Sequence, residues 1–244
     1  MICTGAYEIP SDLADAVESE RRFLRQPGRY NETQALLTEA IDAASDPIVM
    51  RYRTIEYAAV RVLRRLRTEM DIISASALPV CWHTRQLYLQ RRARTVDLAP
   101  SRLHCFAGAF QPPGPNADPA AASGMGLIHT ALRELQEETH LAVEPNGAVP
   151  MAIFKDAGTG SLELVLLGLD LQPADACKMR SSTEGDILPI GFDELPSVLH
   201  RRDEWTIGGR FLMLAWFPLC AARRASPVTF AGSTPMEAFW RALG

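Results

Sequence analysis

The chain has 244 residues, 47% of them hydrophobic and 22% charged, which is the balance of a globular protein with a core to bury rather than of a disordered chain. A net charge of −4 argues against a protein whose whole surface holds nucleic acid. No apolar run approaches the ~20 residues of a membrane span, and no basic segment followed by an apolar core marks a signal peptide at the N-terminus. The cysteines (Cys3, Cys81, Cys105, Cys177 and Cys220) are scattered, odd in number and without metal spacing, so they read as reduced thiols in the cytoplasm.

Residues 1–73 read as helical. Ser11 is placed to cap a helix running to about Arg25, with Leu13, Val17 and Leu24 apolar and Gln26-Pro27-Gly28 as the stop. Asn31 is placed to cap a second helix, Thr33 to Ala44, closed by Ser45-Asp46-Pro47. Thr54 is placed to cap a third, to about Met70, whose apolar side carries Ile55, Ala58, Ala59, Val62, Leu63 and Leu66. The other side carries Arg61, Arg64, Arg65 and Arg67, which reads as a solvated face or as a phosphate or RNA contact.

From Ile72 the period changes. Ile73–Trp82 and Leu87–Arg92, joined by the polar His83-Thr84-Arg85-Gln86, read as a hairpin. Leu103–Phe110 is a further strand, in which His104 reads as an edge histidine and Cys105 as a buried thiol. Gln111–Gly124 is rich in Pro, Gly, Ala and Asn and reads as a loop.

Gly126–Val143 then reads as a helix, because Leu127, Ala131, Leu132 and Leu135 recur at spacings of three and four. Glu134, Glu137 and Glu138 are related by i, i+3 and i, i+4, so one face is expected to carry three carboxylates. Like charges repel and call for compensation. Hard divalent cations such as Mg²⁺ prefer carboxylate oxygen and are the natural counter-charge. Arg133 is placed to pair with one of these carboxylates and hold its rotamer.

Beyond this helix, Val149–Phe154 reads as a strand and Asp156–Gly160 as a turn. Leu162–Leu169, apolar on both faces, reads as a central strand. Pro173–Ser182 reads as a loop, and Glu184–Ile190 leads through a strand to a short helix near Leu195. Arg210–Ala222 is expected to form a final apolar helix and Pro235–Leu243 a short terminal one.

The order Arg133-Glu134-Leu135-Gln136-Glu137-Glu138, with Leu141 beyond it, resembles the Nudix box, G-x5-E-x7-R-E-U-x-E-E-x-G-U with U aliphatic. By that spacing Met125 and Pro119 stand where the box has its upstream Glu and Gly, and His140 where it has its last Gly. Phe106-Ala107-Gly108-Ala109-Phe110 looks like the strand end that precedes the box, which makes Gln111–Gly124 an insertion. Leu87–Arg92 is similar to the preceding strand of the family, and Ile187–Leu195 to its late strand and helix start, so the resemblance spans roughly residues 74–222.

The resemblance implies an α/β (α+β) fold, a Nudix-like α/β/α sandwich with a mixed β-sheet, over 74–244, with 1–73 as a helical N-terminal extension. It implies metal-dependent hydrolysis of a phosphoanhydride bond in a nucleoside diphosphate linked to another moiety. Mg²⁺ or Mn²⁺ would be held by Glu134, Glu137 and Glu138. Glu137, Glu138 or Glu184 would take the proton, with Asp186 and Glu163 as rivals of Glu184. Arg91, Arg92 and Arg133 would meet the substrate phosphates, for which guanidinium is suited. The partner implied is a nucleotide-type small molecule, with no membrane and nucleic acid disfavoured by the net charge, and homodimers are common in the family. The departures from the box keep a second reading open, a catalytically inactive Nudix-like module that binds a nucleotide or serves in regulation.

Overall fold

A computed structural model of the chain describes residues 1–27, 29–39, 49–96, 99–113, 124–144, 148–150 and 161–214. Its contacts divide the chain into two units. One takes Met1–Ala75, Gly108–Thr130 and Lys155–Leu164, and the other takes Ser76–Ala107, Ala131–Phe154 and Val165–Gly244.

The first unit is not all helical. It contains β1 (Ile2–Ala6), α1 (Ala14–Leu24), β2 (Thr33–Leu37), β3 (Arg51–Glu56), α2 (Tyr57–Arg65) and the start of β4 (Ile72–Cys81). Strand β1 runs parallel to β3, and β2 is antiparallel to both β3 and β4. The helix expected from Thr33 is therefore strand β2, and residues 40–48 lie outside the described residues. The physical reason is that β2 has strand neighbours on both sides and buries Gln34, Ala35 and Leu36 in succession. A short run buried on both faces has no period by which to tell strand from helix.

Asn31 does cap a helix, but a different one. Its Oδ1 accepts the backbone N–H of Ala58 at 2.8 Å, in the first turn of α2, while the Tyr57 N–H donates to the Glu32 carbonyl at 2.8 Å. The Asn31 Nδ2 donates to Glu56 at 2.9 Å, and the Arg21 Nε of α1 lies 2.9 Å from both oxygens of the same carboxylate. Arg21 is the largest reason that the Glu56 carboxyl lies below its usual range, and Asn31 adds to it. Beneath these polar links, Val17 and Leu24 of α1 pack with Ala58, Ala59, Val62 and Leu63 of α2. The arginine side of α2 is engaged within the protein: Arg61 and Arg65 meet the two oxygens of the buried Glu20 at 2.8 and 2.5 Å.

The second unit is built on β5 (Gln86–Arg92), which forms the expected hairpin with the end of β4 and also pairs with β6 (Leu103–His104). Strand β7 (Phe106–Ala109) and helix α3 (Gly124–Thr139) follow, each crossing the division between the units. Next come β8 (Ala148–Pro150), β9 (Ser161–Asp170), α4 (Pro173–Ala176), β10 (Gly185–Gly191) and α5 (Leu195–His200), with helical residues at 207–214. Helix α4 occupies part of the expected loop, with Pro in its first turn, where the missing N–H costs nothing. Strand β10 is antiparallel to β5 from Gly185 opposite Arg92 to Gly191 opposite Gln86. The chain as a whole is α+β with mixed strand pairing, as expected. Residues 114–123 of the expected loop, 151–160 and everything beyond 214 lie outside the described residues.

Alternation along β5 sends its side chains to two faces. Leu87 and Leu89, with Leu188 and Ile190 of β10, pack on Leu195, Val198 and Leu199 of α5 and on Trp205, Leu212 and Met213. Gln86, Tyr88, Gln90 and Arg92 take the other face.

Replacing Asn31 by Ala removes the side-chain acceptor at the start of α2. The expected loss is about 1 kcal/mol of folding free energy, measured by denaturant unfolding, with the far-ultraviolet spectrum unchanged.

Candidate functional site

Helix α3 puts Leu127, Ala131, Leu132 and Leu135 into the interior, the stripe read from the sequence. The same stripe continues into Glu138. From Ala131 to Glu138 is two turns at about 100° per residue, so the two side chains leave the helix in nearly the same direction. Glu138 is accordingly only 2% exposed. Glu134, one turn earlier, lies at the edge of the stripe with a side chain 15% exposed. Glu137 precedes Glu138 by about 100° of rotation and turns outward, its side chain 62% exposed. The three carboxylates therefore do not share one face. Two point inward and one points to solvent.

Arg133 does what its place suggests. Its Nη2 lies 2.5 Å from Glu134 Oε1, and its Nε is 3.8 Å from Glu137. The guanidinium is thus committed to carboxylates of its own helix.

Strand β5 divides the arginine pair. Arg92 is on the same face as Gln90, where its charge acts on Glu138. Arg91 is on the opposite face and donates to Glu204 at 2.9 Å, holding that carboxyl below its usual range. Asp186 lies opposite Arg91 in the ladder and shares that far face, so it is not beside Glu138. The side chain of Glu163 is outside the described residues.

Glu184 is brought to the site side by the end of β10. Its carbonyl accepts the Ala93 N–H at 2.7 Å and its own N–H donates to Ser182 Oγ at 3.1 Å. The next residue has to be small. A Cβ on Gly185 would come 2.4 Å from the Arg91 carbonyl oxygen, so only glycine lets β10 close on β5 at this point.

Burial governs the electrostatics. Desolvation is the largest influence on Glu134 and lifts its carboxyl from an ordinary 4.5 to about 7, with Arg133 opposing and Glu137 and Glu184 adding to the rise. Glu138 is raised well above the ordinary value, first by desolvation and then by Glu134 and Glu184, with Gln90 and Arg92 offsetting part of the rise. Neither oxygen of Glu138 accepts a hydrogen bond from the described residues, nor does either end of the Gln90 amide find a partner. Unpaired buried groups of this kind are costly unless a ligand completes them.

That is the chemistry a hard divalent cation satisfies: oxygen donors only, already desolvated, with free lone pairs. Glu134, Glu138 and Glu184 are electrostatically coupled at this place. Among the described residues no group of three or more His, Cys, Asp or Glu side chains is drawn together closely enough to enclose a metal, in keeping with the outward turn of Glu137.

The helix ends at the position where the box has glycine. His140 adopts φ 60°, the left-handed conformation, and its N–H donates to the Gln136 carbonyl at 2.8 Å. The Thr139 hydroxyl donates to Leu135 O at 2.6 Å and accepts the Leu141 N–H at 3.2 Å. The left-handed turn is thus kept without glycine, tied down by side-chain bonds from Thr139. Residue 125, where the box has its upstream Glu, is a Met at the first turn of α3. Gln90 carries no motif signal of its own. Its only signal was an amide among the apolar residues of a strand.

No protein-family model matches the chain. No curated protein is significantly similar to it. Among solved structures, the chain is similar to a MutT protein from Methanosarcina mazei, 17% identical over 57% of this chain and 86% of that one, with a TM-score of 0.39. It is similar to a MutT/nudix family protein from Enterococcus faecalis, 12% identical over 53% of this chain and 49% of that one, TM-score 0.37. A third is a bifunctional NMN adenylyltransferase/ADP ribose pyrophosphatase from Francisella tularensis, complexed with AMP and a Mn ion. It is 11% identical over 66% of this chain and 45% of that one, with a TM-score of 0.47.

A carboxyl raised in the folded state binds its proton more tightly there than in the unfolded chain. Its stabilising effect is complete below the unfolded value near 4.5 and is lost as pH rises to about 7. Chelator-treated protein is therefore expected to lose on the order of 3 kcal/mol across that window from Glu134. Denaturant unfolding at a series of pH values checks this, and Glu134→Gln should flatten the decline.

Proposed function

We propose that the chain is a divalent-cation-dependent hydrolase that cleaves a phosphoanhydride bond in a nucleoside diphosphate linked to another moiety, in the manner of the Nudix family. The observation that carries this reading is the pair of unpaired Glu138 oxygens buried beside Glu134 and Gln90. A surface acidic helix has no reason to place a carboxylate in its apolar stripe. The motif resemblance over Arg133–Leu141 supports the same chemistry.

Glu134 and Glu138 would hold Mg²⁺ or Mn²⁺, with Glu137 completing the set from the solvent side. The cation, when bound, neutralises diphosphate charge and acidifies a water molecule. The other roles belong to the protein. Arg133 fixes the Glu134 rotamer through its 2.5 Å contact. Glu184, exposed at the end of β10, takes the proton of the attacking water, and Arg92 offsets phosphate charge from the strand beside it. Arg91 does not reach the phosphates in this scheme, because its partner is Glu204. Substrate binding thus falls to Arg92, with Arg133 contributing through the carboxylates it orders. The free cysteines among the described residues fit a reducing compartment, and the cytoplasm is the proposed location. No helix among the described residues is long and apolar enough to cross a membrane. A homodimer is the assembly proposed.

The outward turn of Glu137 favours a second reading, a Nudix-like module that binds a nucleotide without turning it over.

A hydrolysis screen separates the two. The panel is nucleoside triphosphates, ADP-ribose, NADH, dinucleoside polyphosphates and CoA, each with Mg²⁺ or Mn²⁺ and with chelator. Turnover that needs the cation and falls about 10²–10⁴-fold in Glu184→Gln is the expected result. Nucleotide binding without cation and without product, for every substrate, would replace the enzyme by the binding module.

A further inference from the structure

Gln90 is 1% exposed, and neither its Nε2 nor its Oε1 has a hydrogen-bond partner among the described residues. It sits in the middle of the sheet of the second unit, opposite Ile187 of β10 on one side and His104 of β6 on the other. Its backbone is thereby fixed, and alternation aims its side chain at the face covered by α3. Room for its stem is made by Gly185, where a Cβ would come 2.8 Å from Gln90 Cγ. A core that needed only packing would be better served by leucine or methionine at this position, because a buried amide without partners is a net cost.

Glu138 of α3 is likewise orphaned at both oxygens, and it and Gln90 are chemically complementary. An amide Nε2 offers two N–H donors, whereas a carboxylate only accepts. The groups are adjacent, close enough for the amide to draw the Glu138 carboxyl back toward its ordinary range. They do not yet make a hydrogen bond of normal geometry.

We propose that Gln90 is the positioning residue of Glu138: its Nε2–H donates to one carboxylate oxygen, fixes the rotamer, and leaves the second oxygen to the divalent cation. The inference rests on the functional reading above and adds to it a residue outside the acidic helix. The donor shell behind a metal ligand sets the ligand's orientation, and its removal typically weakens metal binding by about 10–100-fold.

The test is calorimetric titration of Mn²⁺ into the full chain, beside thermal melting in chelator, for wild type, Gln90→Leu, Glu138→Gln and the double variant. The expected result is about tenfold weaker Mn²⁺ binding in Gln90→Leu, with melting in chelator unchanged or higher. The double variant should bind no more weakly than Glu138→Gln alone. Should the leucine variant not fold, Gln90→Met, unbranched and closer in shape, is measured in its place. Mn²⁺ binding equal to wild type overturns the proposal, as does weakened binding that comes with a lowered melting temperature in chelator. A further loss on top of Glu138→Gln also overturns it. Absence of Mn²⁺ binding by the wild type overturns the functional reading itself, so the two failures are told apart by the first titration.

Discussion

A carboxylate on the core side of a helix is the constraint around which the second unit is arranged. Ala131 and Leu135 must face inward for α3 to pack, and Glu138 shares their direction, so the fold cannot seat the helix without burying the charge. What surrounds it is consistent with that necessity. Strand β5 turns Leu87 and Leu89 toward α5 and sends Gln90 and Arg92 to the other face, where both act on Glu138. Strand β10 approaches closely enough, through Gly185, to carry Glu184 to the same place. The left-handed turn at His140 ends the helix directly after the carboxylate pair.

The first unit shows how this chain treats a buried acid that serves structure alone. Glu20 is nearly as buried as Glu138, yet it meets Arg61 and Arg65. Glu56 is enclosed by Arg21 and Asn31 and is held below its usual range. Both are ion-paired with arginine within the protein, although Glu20 Oε1 makes no hydrogen bond of normal geometry. Glu134 and Glu138 are shifted the other way, because desolvation outweighs the cations near them. Glu56 is thus stabilised as an anion in the first unit, whereas the Glu138 oxygens of the second find no partner among the described residues. The difference supports the ligand site proposed at Glu138, since perturbed carboxyls cluster at functional sites.

Helix α3 was legible because its apolar stripe recurs at spacings of three and four, the β4–β5 hairpin because two apolar runs flank the polar His83–Gln86, and the late strand through the resemblance of Ile187–Leu195. Strand β2 was not, since an apolar run buried on both faces carries no period, and Asn31 signals a cap without saying which helix it caps. Within the site, Arg133, Glu134 and Glu138 could be named from spacing. The outward turn of Glu137 follows from helix rotation, but the burial of Glu138 depends on which face packs. The separation of Arg91 from Arg92 needed the strand's faces to be assigned, and Arg91 found its partner in Glu204, more than a hundred positions away. Gln90 has significance only through β6, β10 and α3 together, which no local pattern records.

The central claim is that Glu138 is a buried carboxyl whose ionisation the empty fold opposes and a bound cation restores. Thermal melting at about pH 8, where the charged form is demanded of the site, tests it most directly, with wild type and Glu138→Gln each run in chelator and in Mn²⁺. The variant is predicted to melt above wild type in chelator and to gain nothing from Mn²⁺, while wild type gains. A variant that melts below wild type in chelator, or that keeps the full gain from Mn²⁺, would contradict it.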